Sequence, residues 1–393
     1  MSATSGPVKS LLISGEYFPP VIGGISTFMA SMVEALGPER MCCLTGVEAK
    51  ALENFNIQGV GLYRRPRVFS RSSLLEGGAW LAAVAEIMLK ERPKAVQLAT
   101  LYDGHLGMWM QKWLRLPYLV YAHGNEVLNA LQAQWEGHRL ALQKADRVLA
   151  NSRYTADLVK QCGVEEDRIA IVHPGCDAKE FRPIRVSSDD RQALLGRHAA
   201  SKVILTVGRL VRRKGQDKVI RALPRILEGQ PATCYLVAGD GPEKQALAEL
   251  SERVGVADKV IFLEQIDNTA LLKLYNLCDV FAMPSREDIA AQDVEGFGIV
   301  YLEANACGKP VIGGRSGGMA DAIVDGVTGM LVPHEDHEAL AVAISRLLGD
   351  EALNRRMGDQ GRDRVVREFS WQFIADRVAA IVSDLVIASR RVV

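Results

Sequence analysis

Val203-Ile-Leu-Thr-Val-Gly-Arg-Leu-Val-Arg-Arg-Lys-Gly215 opens as an apolar, β-branched run, breaks at Gly208, turns through a basic stretch and stops at a second glycine. Residues 216–227 then repeat apolar side chains at helical spacing. Strand, glycine turn and helix form the repeating unit of a parallel sheet with helices on both faces. The same unit recurs on either side. Strands are expected at 10–14, 41–44, 95–98, 118–122, 147–150 and 169–172, then at 203–207, 233–238, 260–262, 280–283, 310–312 and 329–332. Helices are expected at 26–36, 74–90, 155–162, 216–227, 244–253, 269–275, 298–306 and 337–348. Between the halves, 178–200 is charge-rich and carries Pro183 and Ser187-Ser188, which reads as a linker. The expected fold class is therefore α/β, with two Rossmann-like doubly wound parallel-sheet domains facing a cleft. The first covers 1–180, a linker covers 181–200, and the second covers 201–371. A last helix within 372–393 has an apolar stripe that needs a surface, and the first domain supplies one.

A length of 393 residues suits two such domains, and 48% apolar residues suit folded cores. Lys+Arg and Asp+Glu are equal at 47 each, so no overall field points to nucleic acid. The seven cysteines lack a C-x-x-C spacing and read as reduced, buried thiols rather than a disulfide frame or zinc site. The N-terminal residues lack the apolar core of a secretory signal, and no run of 18 apolar residues occurs. The expected compartment is the cytoplasm.

Four places carry residues suited to a phosphorylated ligand. Gly23-Gly24 follow the first strand and precede a helix, so they read either as an approach for a phosphate or as a plain turn. Gly208, Arg209 and Lys214 lie at the carboxyl edge of a strand, where ligands of open α/β sheets sit. Two cations on a glycine turn suit a diphosphate, against the alternative of a solvated basic loop. Ala238-Gly-Asp-Gly-Pro242 is another edge turn, equally a connection capped by Asp240. The fourth is Asp293-Val-Glu-Gly-Phe-Gly-Ile-Val-Tyr-Leu-Glu303. Glu295 precedes a helix and Glu303 lies within it, while Gly296 and Gly298 leave the amides of Phe297, Gly298, Ile299 and Val300 able to face an anion. A carboxylate in the loop can accept sugar hydroxyls, and one in the helix can accept ribose hydroxyls. G-x-G-x-x-G and G-x-x-x-x-G-K-[ST] are both absent, which argues against dehydrogenases and nucleoside triphosphatases. No His, Asp, Glu or Cys cluster has metal spacing, and no D-x-D occurs.

Together these elements resemble the retaining glycosyltransferases of family four, which have the GT-B architecture and include bacterial phosphatidylinositol mannosyltransferases. The resemblance runs from Gly23-Gly24 to the last helix, and its most specific part is Glu295 to Glu303 paired with Gly-Arg-Leu-x-x-x-Lys-Gly215. It implies that Gly24 approaches the donor phosphates and that Arg209 and Lys214 hold the diphosphate. It also implies that Glu295 binds the transferred sugar, Glu303 binds the ribose, and main chain around Gln265 and Ile266 holds the base. His123, in Tyr121-Ala-His-Gly124, matches the histidine placed over the donor sugar; its alternative is a structural hydrogen-bonder. The implied enzyme is a retaining, metal-independent hexosyltransferase, with GDP-mannose as donor and a glycan or glycolipid as acceptor. The nucleotide sugar is a co-substrate and no cofactor is implied. UDP-glucose or UDP-N-acetylglucosamine are alternative donors; a nucleotide-sugar epimerase and a non-catalytic binder are alternative classes. The chain departs from many relatives in having His173-Pro-Gly-Cys-Asp177 before the linker and a longer segment from Arg286 to Asp293.

One local charge imbalance stands out. Residues 60–120 hold nine Lys and Arg against four Asp and Glu in a chain of zero net charge. Arg64, Arg65, Arg67 and Arg71 precede the helix expected at 74–90. This reads as peripheral contact with an anionic membrane or, equally, as a solvated basic loop beside a core helix.

Overall fold

The computed structural model describes residues 6–21, 23–47, 56–66, 74–132, 135–264, 266–288 and 291–391. Strands β1 (Ser10–Ser14), β2 (Met41–Val47), β3 (Gly61–Pro66), β4 (Ala95–Leu98), β5 (Tyr118–Ala122), β6 (Arg147–Ala150) and β7 (Ile169–Ile171) form one parallel sheet, in the order β3-β2-β1-β4-β5-β6-β7. Strands β8 (Lys202–Val207), β9 (Thr233–Ala238), β10 (Val260–Leu263), β11 (Val280–Met283), β12 (Val311–Gly314) and β13 (Gly329–Val332) form a second, in the order β10-β9-β8-β11-β12-β13. Each sheet is wrapped by helices, which bury both faces as parallel strands require; every residue of β5 and of β9 is buried. Both are Rossmann-like.

Strand β3 is the one not expected from the sequence. It pairs with β2 along Cys42↔Gly61 to Val47↔Pro66, at the sheet's edge. Arg64 and Arg65 hid it, because charge in an edge strand looks like a solvated loop. Arg65 is in fact paired with Glu86 of helix Leu74–Lys90 at 3.3 Å. Arg67 and Arg71 lie outside the described residues.

The chain divides into two compact units, Met1–Pro174 with Trp371–Val393, and Gly175–Ser370. The boundary therefore falls before the segment read as a linker, and 181–200 is part of the second unit. Ser187 caps helix Ser188–Leu195 by accepting the Asp190 amide, at 3.0 Å. Asp190 pairs with Lys273 at 2.6 Å, and Asn276 accepts the Ile184 amide at 2.8 Å. In the first unit, helix Trp371–Arg391 packs on helix Gly24–Leu36. Trp371 meets Phe28 at 5.7 Å between centroids, and Arg40 pairs with Asp376 at 2.9 Å. Its stripe of Val378, Val382, Leu385 and Val386 is buried.

Candidate active site

In an open α/β sheet, ligands sit beyond the carboxyl ends of the strands at the point where strand order reverses. In the second sheet that point lies between β8 and β11. The turn after β8 and the loop after β11 are in backbone contact there: Gly215 has φ 77°, and a Cβ on it would collide with the Pro284 carbonyl. The Lys214 stem passes over Gly208, its Cε 3.6 Å from where a Cβ on Gly208 would stand.

Across this junction Lys214 Nζ reaches Glu295 Oε2 at 2.5 Å. Arg213 Nε approaches the same oxygen at 3.5 Å, and Arg213 Nη1 pairs with Asp293 Oδ1. The Lys214 and Glu295 side chains are only 13% and 12% exposed, so this ion pair is shielded from solvent. Burial pushes the Glu295 carboxyl up, but Lys214 and then Arg213 outweigh it and hold the group below the usual carboxylate range. The Glu295 carbonyl accepts the Gly318 amide at 3.0 Å, which ties the loop to the segment after β12.

Gly298 then starts helix Ile299–Ala306 with φ 88°, a left-handed value that favours glycine; a Cβ there would stand 2.6 Å from the Tyr301 ring. The amides of Ile299 and Val300 belong to the first helical turn, where no intrahelical acceptor exists. Phe297 is buried, with its ring 6.1 Å from that of Phe369. One turn into the helix, Glu303 accepts the Tyr275 hydroxyl at 2.6 Å. Burial pushes its carboxyl up to about 7, with the Tyr275 hydrogen bond opposing. Ile266 packs at the margin of the core beneath, and Gln265 lies outside the described residues. Arg209 is exposed and makes no ion pair among the described residues. Lys214, by contrast, is joined to Glu295.

Gly24 and His123 belong to the first unit. Helix Gly24–Leu36 begins directly after Gly23, and among the described residues a Cβ on either Gly23 or Gly24 would meet nothing within 4 Å. His123 follows β5 and is buried, its Nε2 2.9 Å from the Ala99 carbonyl. A carbonyl only accepts, so Nε2 is the donor in this contact. The first sheet reverses order between β1 and β4, and there Asp103 accepts the Gly15 amide at 3.1 Å. Burial pushes the Asp103 carboxyl up to about 7. Partly exposed rings gather at this edge: Tyr17 stacks on Tyr102 at 6.3 Å, Tyr102 meets Trp135 at 6.1 Å, and Trp135 meets His138 at 4.7 Å.

Two family models match the chain, Glycosyltransferase Family 4 over residues 22–180 and Glycosyl transferases group 1 over 189–364. A GDP-mannose-dependent alpha-(1-6)-phosphatidylinositol monomannoside mannosyltransferase of Mycolicibacterium smegmatis is 31% identical, over 95% of this chain and 98% of that protein. The chain belongs to glycosyltransferase family 4. A monoacylated-substrate counterpart from Corynebacterium glutamicum is 29% identical to this glycosyltransferase, over 96% of the chain and 98% of the relative. Its fold is that of GT-B glycosyltransferases. Anabaena HepE, solved with UDP, superposes with a TM-score of 0.79 at 20% identity, covering 96% of this chain and all of that one. Sucrose-phosphate synthase of Thermosynechococcus elongatus gives 0.79 at 24% identity, over 97% of this chain.

Three partners in the candidate site escaped the sequence reading: Arg213, Asp293 and Tyr275. Asp293 and Arg213 were both in quoted motifs, but nothing in a linear pattern pairs residues 80 positions apart. Among the described residues, no group of three His, Cys, Asp or Glu side chains is placed to hold a metal ion, and no helix is long and apolar enough to cross a membrane.

Proposed function

We propose that this glycosyltransferase transfers mannose from GDP-mannose to a hydroxyl of a glycolipid or glycan, with retention of anomeric configuration and without a metal ion. The observation that carries the reading is the Lys214–Glu295 pair at the reversal point of the second sheet, in the loop before the helix that carries Glu303. It sets a cation for a diphosphate beside a carboxylate for a sugar, with a second carboxylate for ribose. The mannose preference rests on the GDP-mannose-dependent relatives, which are similar along their whole length.

In the proposed reaction the anomeric carbon loses its bond to the diphosphate oxygen while the acceptor oxygen bonds to that carbon from the same face. The acceptor's proton passes to the departing diphosphate oxygen, so no protein nucleophile is needed. Lys214, exposed Arg209 and the first-turn amides of Ile299 and Val300 stabilise the leaving charge, the part of catalysis that fixed donors perform best. His123 orients the donor sugar. The rings of Tyr17, Tyr102 and Trp135 offer an acceptor ring an apolar face to stack on.

Incubation with GDP-mannose or UDP-glucose and a phosphatidylinositol mannoside, read by proton NMR, tests this. The expected product is an α-mannoside, formed faster than any glucoside and unaffected by excess EDTA. A β-linked product, a preference for UDP-glucose, or chelator loss restored by manganese would each contradict the proposal.

Peripheral membrane contact belongs to the same reading. Helix Gly104–Leu114 exposes Trp109 at 36% and Trp113 at 64%, with Lys112 lying over the Trp113 ring. Interfacial tryptophans beside cations suit an anionic leaflet. The protein should float with phosphatidylglycerol vesicles at low salt and come off as salt rises. Floating no better than with neutral vesicles would remove this part.

A further inference from the structure

Arg286 and Asp293 are both fastened to the turn that carries Arg213. The Arg286 amide donates to the Arg213 carbonyl at 2.9 Å, and Arg286 Nη2 pairs with Asp217 at 2.5 Å. Asp293 pairs with Arg213 Nη1, and Asp288 and Asp293 exchange backbone hydrogen bonds at 2.8 and 3.0 Å. The Arg213 guanidinium thus pairs with Asp293 through Nη1 and stands with Nε 3.5 Å from Glu295 Oε2, an ion-pair distance, while its backbone is tied to Arg286.

Glu295 has two cations on one oxygen, and they differ in kind. Lys214 is a point charge on a flexible stem, free to turn to any anion in reach. Arg213 is a planar fork pinned by Asp293. If a diphosphate takes Lys214, a buried carboxylate with no other partner would lose the charge that keeps it ionised.

We propose that Arg213, pinned by Asp293, is a positioning residue that keeps Glu295 in place when Lys214 turns to the donor's diphosphate. This rests on the reading of Lys214 and Glu295 as phosphate and sugar ligands. It assigns Arg213 no contact with the nucleotide. Asp293 then has a task, which is to hold the Arg213 fork toward Glu295.

The division of labour is testable because GDP has the diphosphate but no sugar. In Arg213→Gln, GDP affinity by calorimetry should stay within about twofold of wild type. kcat/KM for GDP-mannose should fall about 10-fold, which is about 1.4 kcal/mol of transition-state stabilisation. The acid limb of the pH profile should move to higher pH, since Glu295 then has only Lys214 from the turn, with buried Tyr301 as its neighbour on the helix. Arg213→Lys should restore part of the loss. Asp293→Asn, which keeps the side chain's shape, should shift activity the same way by a smaller factor, and it carries the test if Arg213→Gln does not fold. Equal loss of GDP affinity in Arg213→Gln would make Arg213 a phosphate ligand and overturn the proposal. So would variants with wild-type kinetics and an unmoved acid limb. Absence of GDP binding by the wild type would instead overturn the donor reading, and this inference with it.

Discussion

Glu295→Ala should lower kcat/KM for the nucleotide-sugar donor by about 10³-fold, the largest effect of any single change in the site. Two hydroxyls of the transferred sugar each lose a charged acceptor, at about 1.5–3 kcal/mol apiece. Lys214 and Arg213 also lose the carboxylate that they share at 2.5 and 3.5 Å. Removing one member of a shielded ion pair costs about 3 kcal/mol of stability, so thermal unfolding must be measured beside activity. Glu295→Gln separates the two effects, because it keeps the shape and removes the charge. Its consequence for acid stability has a definite sign. The folded-state pKa of Glu295 is lowered, so its contribution is present above the unfolded pKa of about 4.3 and is lost as pH falls through the folded value. Glu295→Gln should lack that acid-dependent component. A Glu295→Ala enzyme within a few-fold of wild type would remove Glu295 from sugar binding.

What was legible in the sequence was what local pattern encodes. Glycine turns after apolar runs marked the strand ends, and Gly296 and Gly298 marked the start of the helix that carries Glu303. Lys214 was legible because it sits between a strand and a helix, where backbone geometry places it whatever the rest of the chain does. The partners were not. Arg213 read as one more cation in a basic turn, because its meaning comes from Asp293, brought close only by the pairing of β8 with β11. Tyr275 entered only as the end of the helix expected at 269–275; it is buried, and its hydroxyl ends on Glu303. Strand β3 was missed because Arg64 and Arg65 mask its alternation. The helix at Ser188 was missed because its cap, Ser187, was counted as linker composition rather than as an acceptor for the Asp190 amide.

The second large effect is on the leaving group. Lys214→Ala should reduce turnover by about 10²-fold or more, the usual consequence of deleting one fixed donor to a developing negative charge. It should also weaken nucleoside diphosphate binding by about 10- to 100-fold, from a lost charged hydrogen bond. In the ligand-free protein the change removes one of two cations from Glu295 and leaves Arg213, so folding should suffer less than in Glu295→Ala. Calorimetric titration of GDP and UDP into the wild type and Lys214→Ala measures this directly. The account predicts one saturable GDP site per chain, weaker binding of UDP, and the stated loss of GDP affinity in the variant. A wild-type protein that gives no saturable heat with either nucleotide, or a Lys214→Ala variant that binds GDP as tightly as wild type, would contradict it.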